Sequence, residues 1–562
     1  MLEPVRLAKC LLAALLIVFP PLLAAQGTVP VVPDAGSFLQ QIQPVKPHAA
    51  TPVGTGLTIE QDRGAKLTPG QPFEVKAIRI SGNTLFDTPA LHLLVADAEG
   101  KRLTLAELLQ VAARITDHYR NKGYPLARAI IRAQLIRDGV VDFEVMEARY
   151  GKIVLGNRSR VNDPLLLATL SSLQSGQVVS QAALDHALLL LSDVPGIAVN
   201  ATLKPGEAVG TSDLLVGATS VPAIVGNMAL DNYGDRYTGR ARIGGTVNFL
   251  NPLGQGDVLS ASGLTSGSGL RYGRVAYESL LNGLGARAGA SYSALHYELG
   301  GNLELLNAHG NAHVASLWAK HPLARRRDFN LYGQIHLDRL KLRDHIDAAA
   351  IRTDRRLTAW TASLTGDARD AHLSGAINTW NIGWTAGRVG FDDASAQLAD
   401  AATAGTQGGF SKWNASLARL QSLDTKNVLY IALSGQWANT NLDSSQKMIA
   451  GGPNTVRAYD TGAISGDTGY LGTVEFRHDL GSSAGQWQAV AFVDGAHVKV
   501  NKSAWAAGTG SATVSGVGMG LNWAGSARWY GRAYVAKRIG STPVLVADTA
   551  STRGWIEIGK WF

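Results

Sequence analysis

At 562 residues the chain is longer than one ordinary domain, and its formal net charge of +8 is spread thinly, with Arg325-Arg326-Arg327 as its densest run. A solvated turn accounts for that run, and the balance excludes a nucleic-acid surface as the organising feature. Its single cysteine, Cys10, falls in the N-terminal 25 residues, so the rest of the chain has no disulfide framework available.

Arg6 and Lys9 precede an apolar stretch from Cys10 to Leu23, followed by Ala24-Ala25-Gln26. That is the layout of a secretory signal peptide over residues 1–25, although Leu23 stands where a small residue is usual. A lipoprotein reading of Cys10 fails because the apolar stretch follows it. Beyond this segment no run of eighteen apolar residues occurs, which excludes helical membrane spans. Yet 63 glycines, 12 tryptophans and a mean hydropathy near zero do not suit a compact soluble enzyme. A transmembrane β-barrel satisfies both facts, because its strands alternate and never form a continuous apolar run.

Residues 26–72 are rich in Pro, Gly, Gln and Thr and read mostly as linker. Within them, Asp34 to Gln43 predicts a short helix with Asp34 as its cap and Phe38, Leu39 and Ile42 on one side; a disordered tether is the alternative. Phe73 to Ile80 alternates as a strand and stops at Ser81-Gly82-Asn83. Leu105, Leu108, Leu109, Ala112 and Ile115 then share a helix face that ends near Asn121-Lys122-Gly123. Strands over Ala127–Ile136 and Val140–Glu147 complete a unit spanning 73–148. A second copy of the pattern fills 149–220, with strands at Tyr150–Leu155, Ile197–Leu203 and Ser212–Ala218 and helices at Pro164–Leu173 and Gln181–Ser192.

From Pro222 the pattern changes, and 221–562 reads as barrel. In Asp231–Phe249, Ala241, Ile243, Gly245, Val247 and Phe249 alternate with Arg240, Arg242, Thr246 and Asn248. Phe329–Asp338 sets Phe329, Leu331, Gly333, Ile335 and Leu337 against Asn330, Tyr332, Gln334, His336 and Asp338, and Ala286–Ala294 follows the same rule. Apolar residues on the lipid face and polar ones toward a lumen explain it, whereas a soluble β-sandwich has no need of charges on its inner parity. Further segments begin near Leu429, Gly472, Gln488, Ser515 and Arg528, and Trp561-Phe562 ends the last. At about 20 residues per strand with its connection, the region holds about 16 strands, each about 9–11 residues long.

Gly451-Gly452-Pro453 introduces Val456-Arg457-Ala458-Tyr459, a turn that carries one Arg between bulky neighbours into a confined space. Phe492 and Asp494 share one strand parity, and Asp494 must face inward because a carboxylate toward lipid is costly. It is the expected partner of Arg457, with Glu475 as a second inward candidate. Bracing of the barrel is the alternative role for that pair. No catalytic signature is found among GxSxG, HExxH, P-loop or cysteine motifs, and the 13 histidines show no metal spacing, so neither cofactor nor metal is expected. Gly516, Gly518 and Gly520 read as a small-residue stripe on a strand.

Taken together, these motifs resemble a two-partner secretion transporter of the TpsB type. Phe73 to Phe86 resembles the opening of a first POTRA domain, Asn251-Pro252-Leu253-Gly254-Gln255-Gly256-Asp257 the first periplasmic hairpin, and Val456-Arg457-Ala458-Tyr459 the tip of the long sixth loop, here around 440–470. The family tip has glycine where Ala458 stands, and its strand motif has glycine where Ala496 stands. The resemblance implies a mostly β fold, a 16-stranded transmembrane β-barrel preceded by two α+β POTRA domains, set in the outer membrane with the POTRA domains in the periplasm. It implies a plug helix near Asp34–Gln43, loop six folded into the lumen with Arg457 on Asp494, and export of an unfolded exoprotein of the TpsA type without nucleotide hydrolysis. Outer-membrane lipid and, through the terminal Phe562, the barrel-assembly machinery are the other partners implied; nucleic acid is not. The alternative is an insertase for other barrel proteins, against which two POTRA units argue; a passive pore leaves the tandem units and the Arg457 loop unexplained.

Overall fold

A computed structural model describes residues 32–42, 56–59, 71–481, 484–505, 510–546 and 550–562. The signal peptide expected at 1–25 and most of the expected linker lie outside these residues. No described helix is long and apolar enough to cross a membrane.

The unit at 73–148 packs helix Leu105–Asn121 on a three-stranded sheet made of Ala77–Ser81, Val140–Met146 and Arg128–Ile130. Thr104 and Glu107 form a reciprocal cap that starts the helix, each side chain accepting from the other's backbone N–H (3.3 and 2.7 Å). Leu108, Val111, Ala112, Ile115 and Tyr119 bury its apolar face against Ile78, Ile80, Val141, Phe143 and Val145. The single strand expected at 73–80 is two. Phe73–Val75 pairs with Lys101–Leu103, and the chain breaks at Lys76, whose N–H donates to Gly139 O (2.8 Å). That break shifts the burial parity, so Val75, Ile78 and Ile80 all face the core. The strand expected at 127–136 is regular only over Arg128–Ile130.

The second unit carries helices Asp163–Leu170 and Gln181–Ser192 on strands Arg149–Arg158, Ile197–Pro205 and Thr211–Ser220. A fourth strand is supplied by the N-terminal segment, where Gly56–Ile59 lies parallel to Ile197–Pro205 at the sheet edge. Nothing in the linker's composition signals that strand, since edge pairing uses backbone groups that every sequence has.

Sixteen antiparallel strands close the barrel, from Ile224–Asp231 to Thr552–Trp561, and Asn227 to Asp231 pairs with Trp561 to Glu557 across the seam. The stretch expected to begin at Asp231 is two strands, Ile224–Asp231 and Arg242–Leu250, joined by a loop. On the side of the POTRA units, Asn251 is tied to the second unit by a bond from its Nδ2 to Pro195 O, and Asn162 N–H donates to Gly254 O (3.0 Å).

Strands six to nine of the barrel, Ala308–Arg325, Phe329–Ile346, Ile351–Asp370 and Ala376–Phe391, are longer than expected, at 18, 18, 20 and 16 residues. The reason is an inversion of polarity. In strand seven the outward residues run Phe329, Leu331, Ile335, Leu337 and then Arg339, Lys341, Arg343; the inward ones run from Asn330 and Gln334 to buried Leu340 and Leu342. Strand eight inverts at Trp360. Below the switch the wall has lipid outside and water inside; above it the outer face is polar and the inner face packs on protein. A single parity rule therefore ended these strands too early.

Candidate functional site

That apolar upper lumen is filled by helix Ala35–Gln41. Asp34 caps it, accepting from Ser37 N–H (2.9 Å) while its own N–H donates to Ser37 Oγ (2.9 Å). Phe38 is buried against Tyr297 with ring centroids 4.8 Å apart, in a cluster with Leu295, Leu340, Leu342, Val389 and Phe410. Gly36 presses on loop six: a Cβ there would lie 2.3 Å from Ser444 Oγ and 2.6 Å from Ser445 N.

Arg355, 4% exposed, joins three parts of the chain. Its guanidinium donates to Asp34 Oδ2 at the helix cap (2.5 Å), to Asp344 Oδ2 on the wall (2.8 Å) and to Asp443 Oδ2 in loop six (2.5 Å). Asp344 also accepts from Ala35 N–H (2.8 Å) and Tyr297 OH (2.7 Å). Three carboxylates thus surround one guanidinium. Arg355 was not anticipated, because it sits on the inner parity of strand eight where neighbouring Leu357 and Ala359 break the polar-inside rule. Its partner Asp34 is more than 300 residues away.

Loop six, between strands Asn427–Ala438 and Thr468–Asp479, folds into the lumen. Val456, Ala458 and Tyr459 are fully buried against Phe492, Ala496, Val498 and Val514. Arg457 meets Asp494 in a bidentate pair, Nε to Oδ2 at 2.8 Å and Nη2 to Oδ1 at 2.7 Å, and its backbone N–H adds a third bond to Oδ2 (3.1 Å). Nη1 donates to Glu475 Oε1 (2.6 Å), and Thr473 Oγ bridges to Asp494 (2.6 Å). The guanidinium lies 3.4 Å from the centroid of the Phe492 ring, a cation–π contact sheltered from water. Trp555 Nε1 donates to Arg457 O (2.7 Å), and Arg477 holds the second oxygen of Glu475 (2.5 Å).

The register places these groups. Thr473, Asp494 and Gly516 form one inward row, and Glu475, Phe492 and Gly518 the next. Gly518 leaves room for Phe492, since a Cβ there would sit 2.4 Å from the ring, and Gly516 does the same for Ala458, whose Cβ would be 2.4 Å away. Ala458 has no positive φ, so alanine is unstrained in place of glycine, and the space it takes is the space Gly516 leaves. Inward Ala496 likewise packs in the cluster around the tip. Thr473, Trp555, Arg477 and Tyr534, whose ring centroid lies 5.4 Å from the Arg457 guanidinium, were not anticipated; strand parity alone would have found Thr473 and Arg477, which share the inward face of Glu475. Among the described residues no group of three or more His, Cys, Asp or Glu is placed to hold a metal ion.

A closed barrel with two tandem α+β units at its N-terminal side and an arginine-tipped loop folded into its lumen defines an outer-membrane transporter with periplasmic POTRA domains. The chain belongs to the haemolysin secretion/activation protein family ShlB/FhaC/HecB, whose model matches residues 210–523, and residues 73–148 match the ShlB-type POTRA domain. It is a two-partner secretion transporter of the outer membrane, with its POTRA domains in the periplasm. Among its relatives, the heme/hemopexin transporter protein HuxB of Haemophilus influenzae is 27% identical over 455 residues, 80% of each chain. The solved structure of CdiB from Escherichia coli superposes with a TM-score of 0.68 at 22% identity over 89% of this chain and 93% of that one. BamA from Haemophilus ducreyi, lacking POTRA domains 1–3, matches at 0.53 and 14% identity over 87% of this chain and all of that one, which shows a shared fold alone.

Proposed function

We propose that this transporter receives an unfolded exoprotein of the TpsA type on its POTRA units, releases the helix Ala35–Gln41 from the lumen, and passes the exoprotein outward as an extended chain without nucleotide hydrolysis. The observation that carries the reading is Arg355, whose one side chain binds helix, wall and loop six at once. Displacing the helix removes one of its three carboxylate partners and leaves the other two in place, so release does not strand the guanidinium. The strand Gly56–Ile59 follows that helix in sequence and occupies the edge of the second POTRA sheet. An incoming extended segment pairs at that edge by strand addition only by displacing it. Cargo arrival and helix release are thereby linked through one stretch of chain.

In this reading the Arg457 cluster keeps loop six seated on the wall while the helix leaves. Phe562, whose backbone exchanges two 3.0 Å bonds with Gly226 at the barrel seam, is the end the barrel-assembly machinery would engage. The outward apolar faces of the strands take outer-membrane lipid. The test is secretion: the chain and an Arg457→Ala variant are each expressed with a cognate exoprotein, both barrels are verified in the outer membrane, and exoprotein is assayed in the medium. Loss of secretion from an inserted variant places the loop in the transport machinery, and equal secretion reduces the pair to a brace. If other outer-membrane proteins assemble poorly when the chain is deleted, the insertase alternative replaces this reading.

A further inference from the structure

The inversion of polarity in strands six to nine leaves a one-sided cationic patch on the outside of the barrel. Outward Trp360, Trp384, Trp413 and Trp437 are 41–54% exposed and form an aromatic girdle at the upper edge of the lipid belt. Directly above it stand Arg339, Lys341 and Arg388. Arg339 and Arg388 flank Thr358 in a single inter-strand row, so their Cα atoms are about 10 Å apart, and Lys341 lies about 7 Å further up its strand. None of the three has a hydrogen bond or ion pair among the described residues, while nearby Arg356 and Arg343 face Asp392 (2.9 Å) and Asp354 (3.8 Å). Across the barrel, the outward residues near the same rim are mostly uncharged among the described residues, Thr513, Ser515 and Gly554 included, with Lys499 and Lys537 as separate cations.

An unpaired cation next to a tryptophan belt is at the depth where lipid headgroups carry phosphate. Three such cations within about 12 Å match a headgroup with more than one phosphate better than one with a single charge. We infer that Arg339, Lys341 and Arg388 form a binding site for the phosphate groups of an outer-leaflet glycolipid, which anchors this side of the barrel. The acyl chains of that lipid lie along outward Leu337, level with Trp360 in the girdle, and Leu364 and Ile382 below it.

The experiment uses the full-length barrel in detergent, incubated with lipid A carrying both phosphates or neither, with retained lipid counted by native mass spectrometry. The intact protein retains the phosphorylated form at least about tenfold better, at roughly fivefold per basic side chain. Arg339→Gln, Lys341→Gln and Arg388→Gln combined abolish that preference, and Lys499→Gln with Lys537→Gln leaves it intact. Equal retention of both lipids by the intact protein overturns the site without recourse to any variant. So does an equal loss in both sets of substitutions. Displacement of the lipid by millimolar inorganic phosphate overturns the glycolipid assignment and leaves a general anion site.

Discussion

Arg457 and Arg355 are both buried guanidiniums in the same lumen, yet their surroundings differ in charge and in origin. Around Arg457, Asp494 and Glu475 are answered by Arg457 and Arg477, so the charges balance, and both carboxylates come from adjacent strands of one rigid wall. Around Arg355, three aspartates face one arginine, and they come from a capped helix, a strand and a loop that are remote in sequence. A balanced cluster on a continuous sheet loses its satisfaction if any member leaves. An acid-rich cluster can give up one carboxylate and reduce its excess negative charge. The first geometry suits a fixture and the second a release point.

Substitutions at the two arginines test that contrast most severely. Arg457→Ala leaves buried Asp494 without its cation, while Glu475 keeps Arg477, and it removes the cation from the Phe492 ring, a loss of about 3–5 kcal/mol of local stability. Secretion is expected to fall at least tenfold with the barrel still inserted; unchanged secretion would reduce the Arg457 pair to a brace of the barrel. Arg355→Ala leaves Asp34, Asp344 and Asp443 to repel one another, so the helix departs. Planar-bilayer recordings should show a several-fold greater open fraction, and closed channels like those of the unaltered protein would remove the release role.

A smaller effect sharpens the account of the fixture. Gly516→Ala puts a methyl group against Ala458, and overpacking of this kind costs about 1–3 kcal/mol. Adding Ala458→Gly should restore the thermal stability of the barrel, read by its heat-modified mobility on gels. Failure of that rescue would show that the two positions do not share one space.

The smallest expected effect lies in the first POTRA unit, far from either arginine. Glu147 is buried there, which pushes its carboxyl pKa up, but bonds from Thr84, Leu85 and Tyr119 outweigh burial and hold it below the ordinary carboxylate value. Its contribution is therefore complete above the unfolded-state pKa and is lost as pH falls through the depressed folded value. Hydrogen exchange at the Thr84 and Leu85 amides of the full chain should accelerate on acidification relative to neighbouring amides. Glu147→Gln should flatten that dependence; an unchanged profile would assign it to other groups.

Much of this was legible in the residues. Outward Ile243, Tyr292 and Ile335 obey a period of two, and that period yields both the barrel and the inward direction of Asp494 and Glu475. Arg457 was legible because glycines and a proline mark its turn. The Arg355 cluster was not, because it depends on where the wall leaves the bilayer, and the same alternation then carries the opposite meaning. Strand Gly56–Ile59 was hidden for another reason: its pairing is made by main-chain atoms. At Lys76 a backbone break reset the parity that the side chains seemed to continue.

Phe38 and Ala35 cover a lumen wall built from Leu295, Leu340, Leu342, Val389 and Phe410, greasier than the polar stretch beneath it. With the helix released as proposed, that wall would become a vestibule with the solvency of a protein interior, placed at the exit. An unfolded chain travelling outward would find its nonpolar side chains wetted by oil-like surface just before they reach open water. The final stretch of the path would hold the polymer by many weak, interchangeable contacts, a bearing surface that favours residence without favouring any one sequence.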